Sequence, residues 1–549
     1  MLTADQIEAL GDKAQQIISP IADFLIGDIA RRISEAGQLT SSASYQVWRL
    51  QNLGMSQQQV KREIQKRLNV SLSEVDRLMK QAAEVGYDFD IRNLPHADAV
   101  SFGDNAVVQD IVSAAVQMAR EDLTNMVQTL GFVTQNGEVL PLTQAYEQAC
   151  DLAFQKVTTG AQDYNSAIRA ATRELAAKGI RTIDYASGVH TFLEAAVRRN
   201  VMGGLGIMQE KISQQNHDDL GCDGWEISAH AASAPDHEPI QGRQYSDAEY
   251  TALNNSLVRR IGTLNCGHAA FPIILGVNRP QYTPEELERF RQENKKGIDY
   301  EGKHYTMYEA TQRQRKLEQA IRDRKRRILI DEAAGDKEQL AIDQTKLVRL
   351  NDEYARFTKA AGLRSQRERA QVTGFGVKEA GAANAGANRT HKEWLASIGA
   401  QNTSLNTLDK YLEAKYNDSP EYRLLTGYDR AVKKGDISVL TGFELYKETG
   451  SSIQSQIVGQ TTSTGVEIKG FATHFIDRVI GQTSEAHPGM RCGVPIVDAL
   501  DALKNPVKLG VVRTLPDGDV RQTFYGQKAA VTISVRDCRL IQTNPWKGK

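Results

Sequence analysis

The chain has 549 residues, of which 40% are hydrophobic and 25% are charged, and its formal net charge at pH 7 is -1. This length predicts several domains, and the composition is that of globular domains with buried cores. The near-neutral charge gives no overall sign of a nucleic-acid-binding protein, so any basic surface must be local.

Three further classes of protein are disfavoured by the sequence. Five cysteines without regular spacing fit a reducing compartment better than a disulfide framework. The first thirty residues lack the basic flank, apolar core and cleavage site of a signal peptide. No apolar run is long enough for a transmembrane helix, so no membrane anchor is expected.

Residues 1–215 show the apolar spacing of a helical scaffold. From Leu10 to Ile29 the apolar residues recur at steps of three, four and seven, which is the period of one helical face. Gly86 is expected to end one helix, and the "GGLG" of 203–206 to interrupt another. No residue of this segment points to catalysis.

Residues 216–282 change in composition and predict a small, irregular α+β module. Glycine, proline, histidine, cysteine and tryptophan accumulate there, above all in the histidine-rich window from Cys222 to His268. Four side chains of this window are candidate zinc ligands if the segments converge: His230, His237, Cys266 and His268. Their spacing contains no close pair of the zinc-finger type.

Three interpretations of these histidines and cysteines stay open. Packing and hydrogen bonding are favoured, and a structural zinc ion within 222–268 is the second interpretation, because small modules with thin cores gain stability from a metal. Catalysis is the third and least favoured interpretation, because no glycine-rich nucleophile turn and no orienting residue accompany the Cys-His pair.

Charged helices are predicted for residues 283–373. Thr283 and Glu286 have the spacing of a capping box, with Pro284 at the first helical position. Between Arg313 and Arg327 there are eight basic and two acidic residues. This stretch is either a solvated helical face or a contact surface for nucleic acid or an acidic partner.

The remainder of the chain divides into three predicted segments. Residues 374–391 have the Gly, Ala and Asn content of a linker, and residues 392–458 form a helical connector. Residues 465–549 predict a C-terminal α+β domain of two helices followed by an antiparallel sheet of about four strands. The sequence "LPDGD" has the Asp-Gly of a hairpin turn. The whole chain is therefore a multidomain, mainly α protein.

The C-terminal segment contains a set of residues suited to phosphate chemistry. From Lys469 to Lys549 there are 12 basic and 7 acidic residues, a net charge of +5. His474 and Arg478 lie four positions apart and share a helical face. Metal-free RNA cleavage needs a base for the 2′-hydroxyl, an acid for the leaving oxygen and cations for the phosphate. The same spacing is also typical of a structural histidine.

The histidine-rich window resembles the phage minor capsid protein 2 family. The resemblance rests on Ser228-x-His230, Pro235-x-His237, Gln241-Gly242-Arg243 and Asn265-Cys266-Gly267-His268, in that order, and covers roughly residues 1–380. The chain has Ser233-Ala234 where the family has Ala-Arg, and Ile240 where it has Trp. These departures remove an arginine and an aromatic ring from the motif.

The resemblance implies a virion protein of phage or prophage origin, made in the bacterial host cytoplasm. It implies a role in head assembly near the portal. The expected partners are portal and capsid proteins, with packaged DNA or host RNA as further candidates.

The C-terminal segment resembles the small nuclease-like domains of the barnase/EndoU/colicin/RelE-like group. The likeness lies in "THFIDRVIGQ", "VRQTFYG" and "LIQTNP". It implies that His474 is the general acid/base and that the domain needs no cofactor. Arg478 and Arg521 would bind phosphate, and Thr532 and Thr543 would help to position it. His487 and Arg491 are further candidates for the site.

Three hypotheses of function follow. The first is a portal-associated structural protein of the phage head that carries an RNase-like domain, a possible metal-independent endoribonuclease. The second is a delivered effector ribonuclease with the capsid part as its carrier. The third is an accessory virion protein that binds nucleic acid without catalysis.

Overall fold

A computed structural model describes most of the chain. The described residues are 4–39, 41–55, 57–94, 100–133, 139–159, 180–183, 190–262, 267–438, 440–483 and 489–547. The chain divides into two compact units, an N-terminal unit of Met1–Asn384 and a C-terminal unit of Ala385–Lys549. The six predicted segments divide the chain more finely, and their boundaries stay predictions.

Long helices make up most of the first half of the N-terminal unit. The helices are α1 (Ala4–Gly37), α2 (Ser42–Arg49), α3 (Gln57–Asn93), α4 (Ala106–Gln128), α5 (Leu142–Thr158) and α6 (Leu193–Asp219), with a π-helical turn at Leu50–Met55. The strands β1 (Leu130–Val133), β2 (Val139–Pro141), β3 (Arg181–Ile183) and β4 (His190–Phe192) form an antiparallel sheet in the order β2-β1-β3-β4. The helices share one core because their apolar residues recur at helical spacing, as Ile18 and Leu25 do in α1.

Two expected helix interruptions are wrong. Gly86 lies inside α3, and the glycines of 203–206 lie inside α6. A Cβ atom at Gly86 would overlap the side chain of Gln209 on α6. At that position glycine permits close approach of two helices, a use that a single-sequence pattern does not distinguish from helix termination.

A small sheet follows α6 and includes the histidine-rich window. The strand β5 (Gly224–Ile227) lies between β6 (Gln244–Ser246) and β7 (Ala270–Ile273), and α7 (Asp247–Ser256) follows β6. Both neighbours are antiparallel to β5, and all four β5 residues are buried. Burial raises the pKa of Glu226 in this strand, and its carboxylate accepts hydrogen bonds from Gln244 and from the backbone N–H of Gln281.

Charged helices complete the N-terminal unit. They are α8 (Pro284–Lys296), α9 (Met307–Ala334) and α10 (Lys337–Ala360), and a hairpin of β8 (Ile298–Tyr300) and β9 (Lys303–Tyr305) precedes α9. The capping box predicted at Thr283 and Glu286 is present at the start of α8. The helices α9 and α10 pack against each other through apolar residues such as Ile328 and Leu347.

Part of the basic stretch of α9 binds carboxylates inside the unit. Nε of Arg326 donates to Oδ1 of Asp23 at 2.6 Å, and its Nη2 atom bonds to the carboxylate of Glu194. Burial would raise the pKa of Glu194, but the guanidinium groups of Arg326 and Arg322 hold it below its usual value. These pairs tie α9 to α1 and α6, so this part of the stretch is not a solvated face.

The stretch 374–391, predicted as a linker, is helical from Val377 onward. The helix α11 spans Val377–Ser397, and the boundary between the two units falls within it. Alanine is the strongest helix former, and Ala383 and Ala387 are fully buried.

The C-terminal unit combines helices with a six-stranded sheet. Its further helices are α12 (Leu408–Tyr416), α13 (Pro420–Lys433), α14 (Phe443–Gln456), α15 (Thr473–Ile480) and α16 (Ile496–Lys504). Its strands are β10 (Gly470–Phe471), β11 (Lys508–Leu509), β12 (Arg513–Thr514), β13 (Val520–Tyr525), β14 (Ala529–Ser534) and β15 (Arg539–Pro545). The order is β10-β15-β14-β13-β11, β12 also pairs with β13, and only the β10 pairing is parallel among the described strands.

One core joins the connector helices to the C-terminal sheet. Tyr428 of α13 and Tyr446 of α14 belong to the same buried cluster as Phe475 of α15 and Val531 of β14. The predicted fold class is confirmed: the chain is mainly helical, and its C-terminal part has two helices followed by a largely antiparallel sheet. Gly518, with φ of 79°, forms the predicted hairpin turn between β12 and β13.

Candidate functional site: the His474 centre and the histidine cluster

The helix α15 brings together the two residues predicted to share its face. Nε of Arg478 donates to Nε2 of His474 at 3.1 Å, and Nδ1 of His474 lies 3.1 Å from Oδ2 of Asp477. Arginine is only a donor, so Nε2 of His474 accepts and Nδ1 carries the proton toward Asp477. This arrangement selects one tautomer of a neutral imidazole.

Asp477 is the buried anchor of this centre. Its side chain is 0% exposed, and the hydroxyl of Tyr446 donates to Oδ1 at 2.7 Å. Burial and the Asp477 carboxylate raise the pKa of Tyr446 well above its usual value. Nη2 of Arg430 lies 3.5 Å from Oδ2 of Asp477. The carboxylate is thus held in one place and orients the imidazole of His474.

Arg491 lies at the same centre, bound to Asp436. Its Nη2 atom donates to the backbone carbonyl of Asp436 at 2.6 Å, and its Nη1 atom lies 3.6 Å from Oδ1 of that residue. Burial and the neighbouring charge of Arg491 lower the pKa of Arg478.

The charges of this centre suit an anion better than a cation. Among the described residues, one group of three potential metal ligands has all its ligand atoms within 4.8 Å of one another. It consists of Asp436, His474 and Asp477. Two arginines already bind the two carboxylates, and a third binds the histidine. A divalent cation would compete with these guanidinium groups, whereas a phosphate would be attracted by them.

The predicted sheet residues Arg521 and Thr532 form their described hydrogen bonds with neighbouring residues and not with His474. Arg521 donates to Oδ2 of Asp519 at 2.8 Å, and the hydroxyls of Thr532 and Thr523 are 2.9 Å apart. Arg521 and Thr523 lie opposite Ser534 and Thr532 across the strand pair, so the four side chains share one face of the sheet.

Thr543 and His487 do not add to the described centre. Thr543 is fully buried opposite Val531, and its hydroxyl donates to the carbonyl of Ala530 at 3.1 Å. The strand β15 instead contributes Asn544, whose Oδ1 accepts from Nη1 of Arg478 at 3.3 Å. His487 lies outside the described residues.

Sequence reasoning missed five residues of the centre, of which one is Asn544 of β15. Asp477 could have been found, because it lies three positions after His474 on the same predicted helix face. Arg430, Asp436 and Tyr446 come from the connector, where nothing in the local sequence marks them. They reach the centre through tertiary packing of α13 and α14 against α15.

The histidines of the N-terminal unit form a second cluster. The rings of His230 and His268 are stacked with centroids 4.5 Å apart, and the ring of His237 meets that of His268 edge-on at 5.3 Å. Burial and the neighbouring histidines lower the pKa of His268 to about 2. His268 is therefore neutral at physiological pH and cannot act as a general acid there.

Hydrogen bonds occupy one nitrogen on two of these rings. Nε2 of His237 donates to the carbonyl of Arg259 at 2.9 Å, and Nε2 of His268 lies 2.9 Å from Oε1 of Gln241. Zinc-bound histidines make such outer bonds, but the three described histidines do not form a group whose potential ligand atoms all lie within 4.8 Å of one another. Cys266 lies outside the described residues, so the predicted zinc site stays a prediction.

One comparison with known proteins agrees with the resemblance stated for the histidine-rich window. Residues 2–359 match the family described as Phage minor capsid protein 2, which is well over half of the chain. No curated protein and no solved structure matches the chain. Among the described helices, none is both long enough and apolar enough to cross a membrane. The chain therefore belongs to the phage minor capsid protein 2 family and is a structural protein of the virion.

Proposed function

We propose that this virion protein carries, in its C-terminal unit, a metal-independent site that cleaves RNA at His474. In this proposal the N-terminal unit attaches the protein to portal and capsid proteins of the phage head. The observation that supports the chemistry is the chain of hydrogen bonds from Tyr446 through Asp477 and His474 to Arg478.

The hydrogen bonds suit His474 to remove a proton. Asp477 accepts from Nδ1, so the lone pair is on Nε2, the nitrogen that would take the proton of a 2′-hydroxyl. The side chain of His474 is 34% exposed, so a substrate can reach it. Arg478 covers Nε2 in this structure, and a bound phosphate would compete for its guanidinium group.

The proposed step is a transesterification. Nε2 of His474 takes the 2′-hydroxyl proton as the 2′-oxygen forms a bond to phosphorus. The bond from phosphorus to the 5′-oxygen breaks, and the leaving oxygen takes a proton from water. Arg478 and Arg491 stabilise the additional negative charge on the phosphate. The products are a 2′,3′-cyclic phosphate and a 5′-hydroxyl end.

The test is RNA cleavage by the intact protein in excess EDTA. Wild-type protein should cut single-stranded RNA to cyclic-phosphate ends and leave the matched DNA strand intact, which lacks the 2′-hydroxyl. The variant His474→Ala should lose cleavage by about 10²- to 10⁴-fold, the usual contribution of a general base. A matched control is His304→Ala, since His304 lies on the exposed face of the β8–β9 hairpin.

The main alternative is a virion protein that binds nucleic acid without cutting it. The arginines around His474 support it as well, because phosphate binding needs only cations. RNA or DNA that is bound but not cut, with binding weakened by Arg478→Gln, would replace the ribonuclease proposal with this one. Cleavage unchanged in His474→Ala would contradict the assignment of His474.

The delivered-effector hypothesis is a third interpretation of the C-terminal unit. It requires cleavage as above and also delivery of the protein into the host cell. Labelled virions that eject their DNA but retain this protein would exclude it while leaving the cleavage proposal intact.

A further inference from the structure

A large cavity lies beside the histidine cluster, entirely within the N-terminal unit. Its volume is about 740 Å³, and it is lined by α1, α6 and α9, by the histidine-rich window, and by Leu363, Arg364, Gln366 and Arg369. His230, His237 and His268 form part of one wall. This volume is within the usual range for pockets that bind small organic ligands.

The walls of the cavity have a strong excess of positive charge. Among the described residues that line it, seven are arginine or lysine, and the acidic ones are Asp12 and Glu318. Both carboxylates are already bound: Asp12 pairs with Arg198 and Arg369, and Glu318 lies 3.6 Å from Arg369. Arg259 is also paired, with Asp236 at 2.7 Å, so the excess of positive charge lies with cations such as Lys316, Arg322 and Arg364.

Three of these cations are available to a ligand. Lys316 and Arg364 are exposed and form no ion pair within the described part of the chain. Nε of Arg322 is buried and has no hydrogen-bond partner among the described residues, although its Nη1 atom donates to the carbonyl of Arg369 at 3.4 Å. A buried donor without a partner is destabilising, and an acceptor atom from a ligand would offset that cost.

The histidine wall does not offset this field. His268 is 2% exposed, and a histidine side chain supplies no negative charge. A divalent cation at the histidines would be repelled by the arginines across the cavity, whereas an anion would be attracted. Met202, Met307, Tyr308 and Leu363 supply apolar and aromatic surface on other walls. This surface suits an organic group larger than an inorganic anion.

We propose that this cavity binds the phosphate groups of a nucleotide, either free or at the 5′ end of a single strand. Lys316, Arg322 and Arg364 bind the phosphates, and the apolar wall covers the nucleoside. The volume excludes a duplex but accommodates one nucleotide. The inference concerns the capsid part of the protein and is independent of the proposed ribonuclease site.

The test is titration calorimetry on the full chain with the His474→Ala substitution, without added metal. The probes are ATP, inorganic pyrophosphate, and a deoxythymidine decamer with a 5′-phosphate or a 5′-hydroxyl. The proposal expects binding of ATP, of the phosphorylated decamer or of both, and weaker binding of pyrophosphate. Tighter ATP binding would identify a free nucleotide, and tighter binding of the phosphorylated decamer would identify a strand end.

Two variants and one control decide the outcome. Lys316→Gln with Arg364→Gln removes two exposed charges without touching the core and should weaken binding about tenfold or more. Arg322→Gln should weaken it similarly if the protein still folds. The control, Lys359→Gln with Arg367→Gln, removes the same charge from exposed residues outside the cavity lining and should leave binding unchanged.

Three results would overturn the proposal. One is the absence of binding to every probe. Another is equal weakening by the cavity pair and the control pair, which would indicate a general charge effect. The third is binding that EDTA abolishes, which would indicate recognition through a metal at the histidines.

Discussion

The two units both bury carboxylates, but they differ in what surrounds them. In the N-terminal unit, Asp23 is 2% exposed, and its partner Arg326 also binds Glu194 and is itself largely buried. In the C-terminal unit, Asp477 is 0% exposed, but its partners His474 and Arg430 are 34% and 44% exposed. The first network is closed to solvent, and the second opens onto it.

This difference separates charge used for stability from charge available for reaction. A closed pair holds helices together, because breaking it leaves a buried charge without a partner. An open centre can accept a substrate, because its imidazole and guanidinium groups exchange partners without exposing the core. The histidines show the same contrast: burial keeps His268 neutral, while His474 lies at the surface beside a fixed carboxylate.

The largest effect is expected at the open centre. If RNA cleavage is observed, Asp477→Asn should lower its kcat by about 10²- to 10⁴-fold with little change in KM, because the imidazole loses the acceptor that fixes its tautomer. The pH–rate profile should change as well, which a merely structural role would not produce. Asp501→Asn on the exposed side of α16 is the control. A variant with normal kcat would remove Asp477 as the positioning residue.

The closed network of Asp23, Glu194 and Arg326 is expected to contribute to the free energy of unfolding. Arg326→Gln removes the guanidinium group that pairs with both Asp23 and Glu194 and should lower the free energy of unfolding by about 3 to 5 kcal/mol, measured by urea denaturation. The neighbouring Arg327→Gln breaks an i,i+4 pair with Asp323 at the surface and should change it by less than about 1 kcal/mol. Similar losses in both variants would contradict the contrast between the two networks.

A smaller effect is expected from Glu318, a carboxyl group whose pKa is raised by burial. Burial raises the pKa of Glu318 to about 7, although Arg369 opposes the shift. Because the folded-state pKa lies above the ordinary glutamate value of 4.5, the contribution of this group to stability is present below pH 4.5 and is lost as the pH rises to about 7.

Urea denaturation across this pH window tests the sign. Relative to Glu318→Gln, the wild-type protein should lose up to about 3 kcal/mol between pH 4.5 and 7. A difference that stays constant across the window, or that grows in favour of the wild type, would contradict the shift.

The smallest effect is a difference in chemical reactivity. Diethyl pyrocarbonate modifies accessible neutral imidazoles, so His474 should react several-fold faster than His268 in peptide mapping by mass spectrometry. His304, which is half exposed, serves as the reactive reference. Equal protection of His474 and His268 would mean that the C-terminal centre is closed to solvent like the first network.

Much of the local structure could be predicted from the sequence. The periodic apolar residues of 1–215, the capping box at Thr283 and the Asp-Gly turn are local signals, and the structure contains each of them. The misplaced helix breaks have a common cause: Gly86 and Gly204 serve packing between α3 and α6, which depends on residues more than a hundred positions away.

At the candidate centre, too, local spacing could be predicted from the sequence, whereas the burial of individual side chains could not. The i,i+4 spacing on one helix brings His474 and Arg478 together, as predicted. The sequence also pointed to Thr543, but the pleat of β15 turns that residue to the buried face beside Val531.

By itself, the sequence determined the helical class, the family and the chemistry-bearing histidines, because these follow from composition, period and local motif. The tertiary structure decided which of those residues meet. It added Arg430, Asp436 and Tyr446 to the His474 centre and placed basic residues of α9 in the lining of the same cavity as the histidine cluster. The physical reason is that burial and partner charge set the protonation and availability of each group, and both depend on residues distant in the chain.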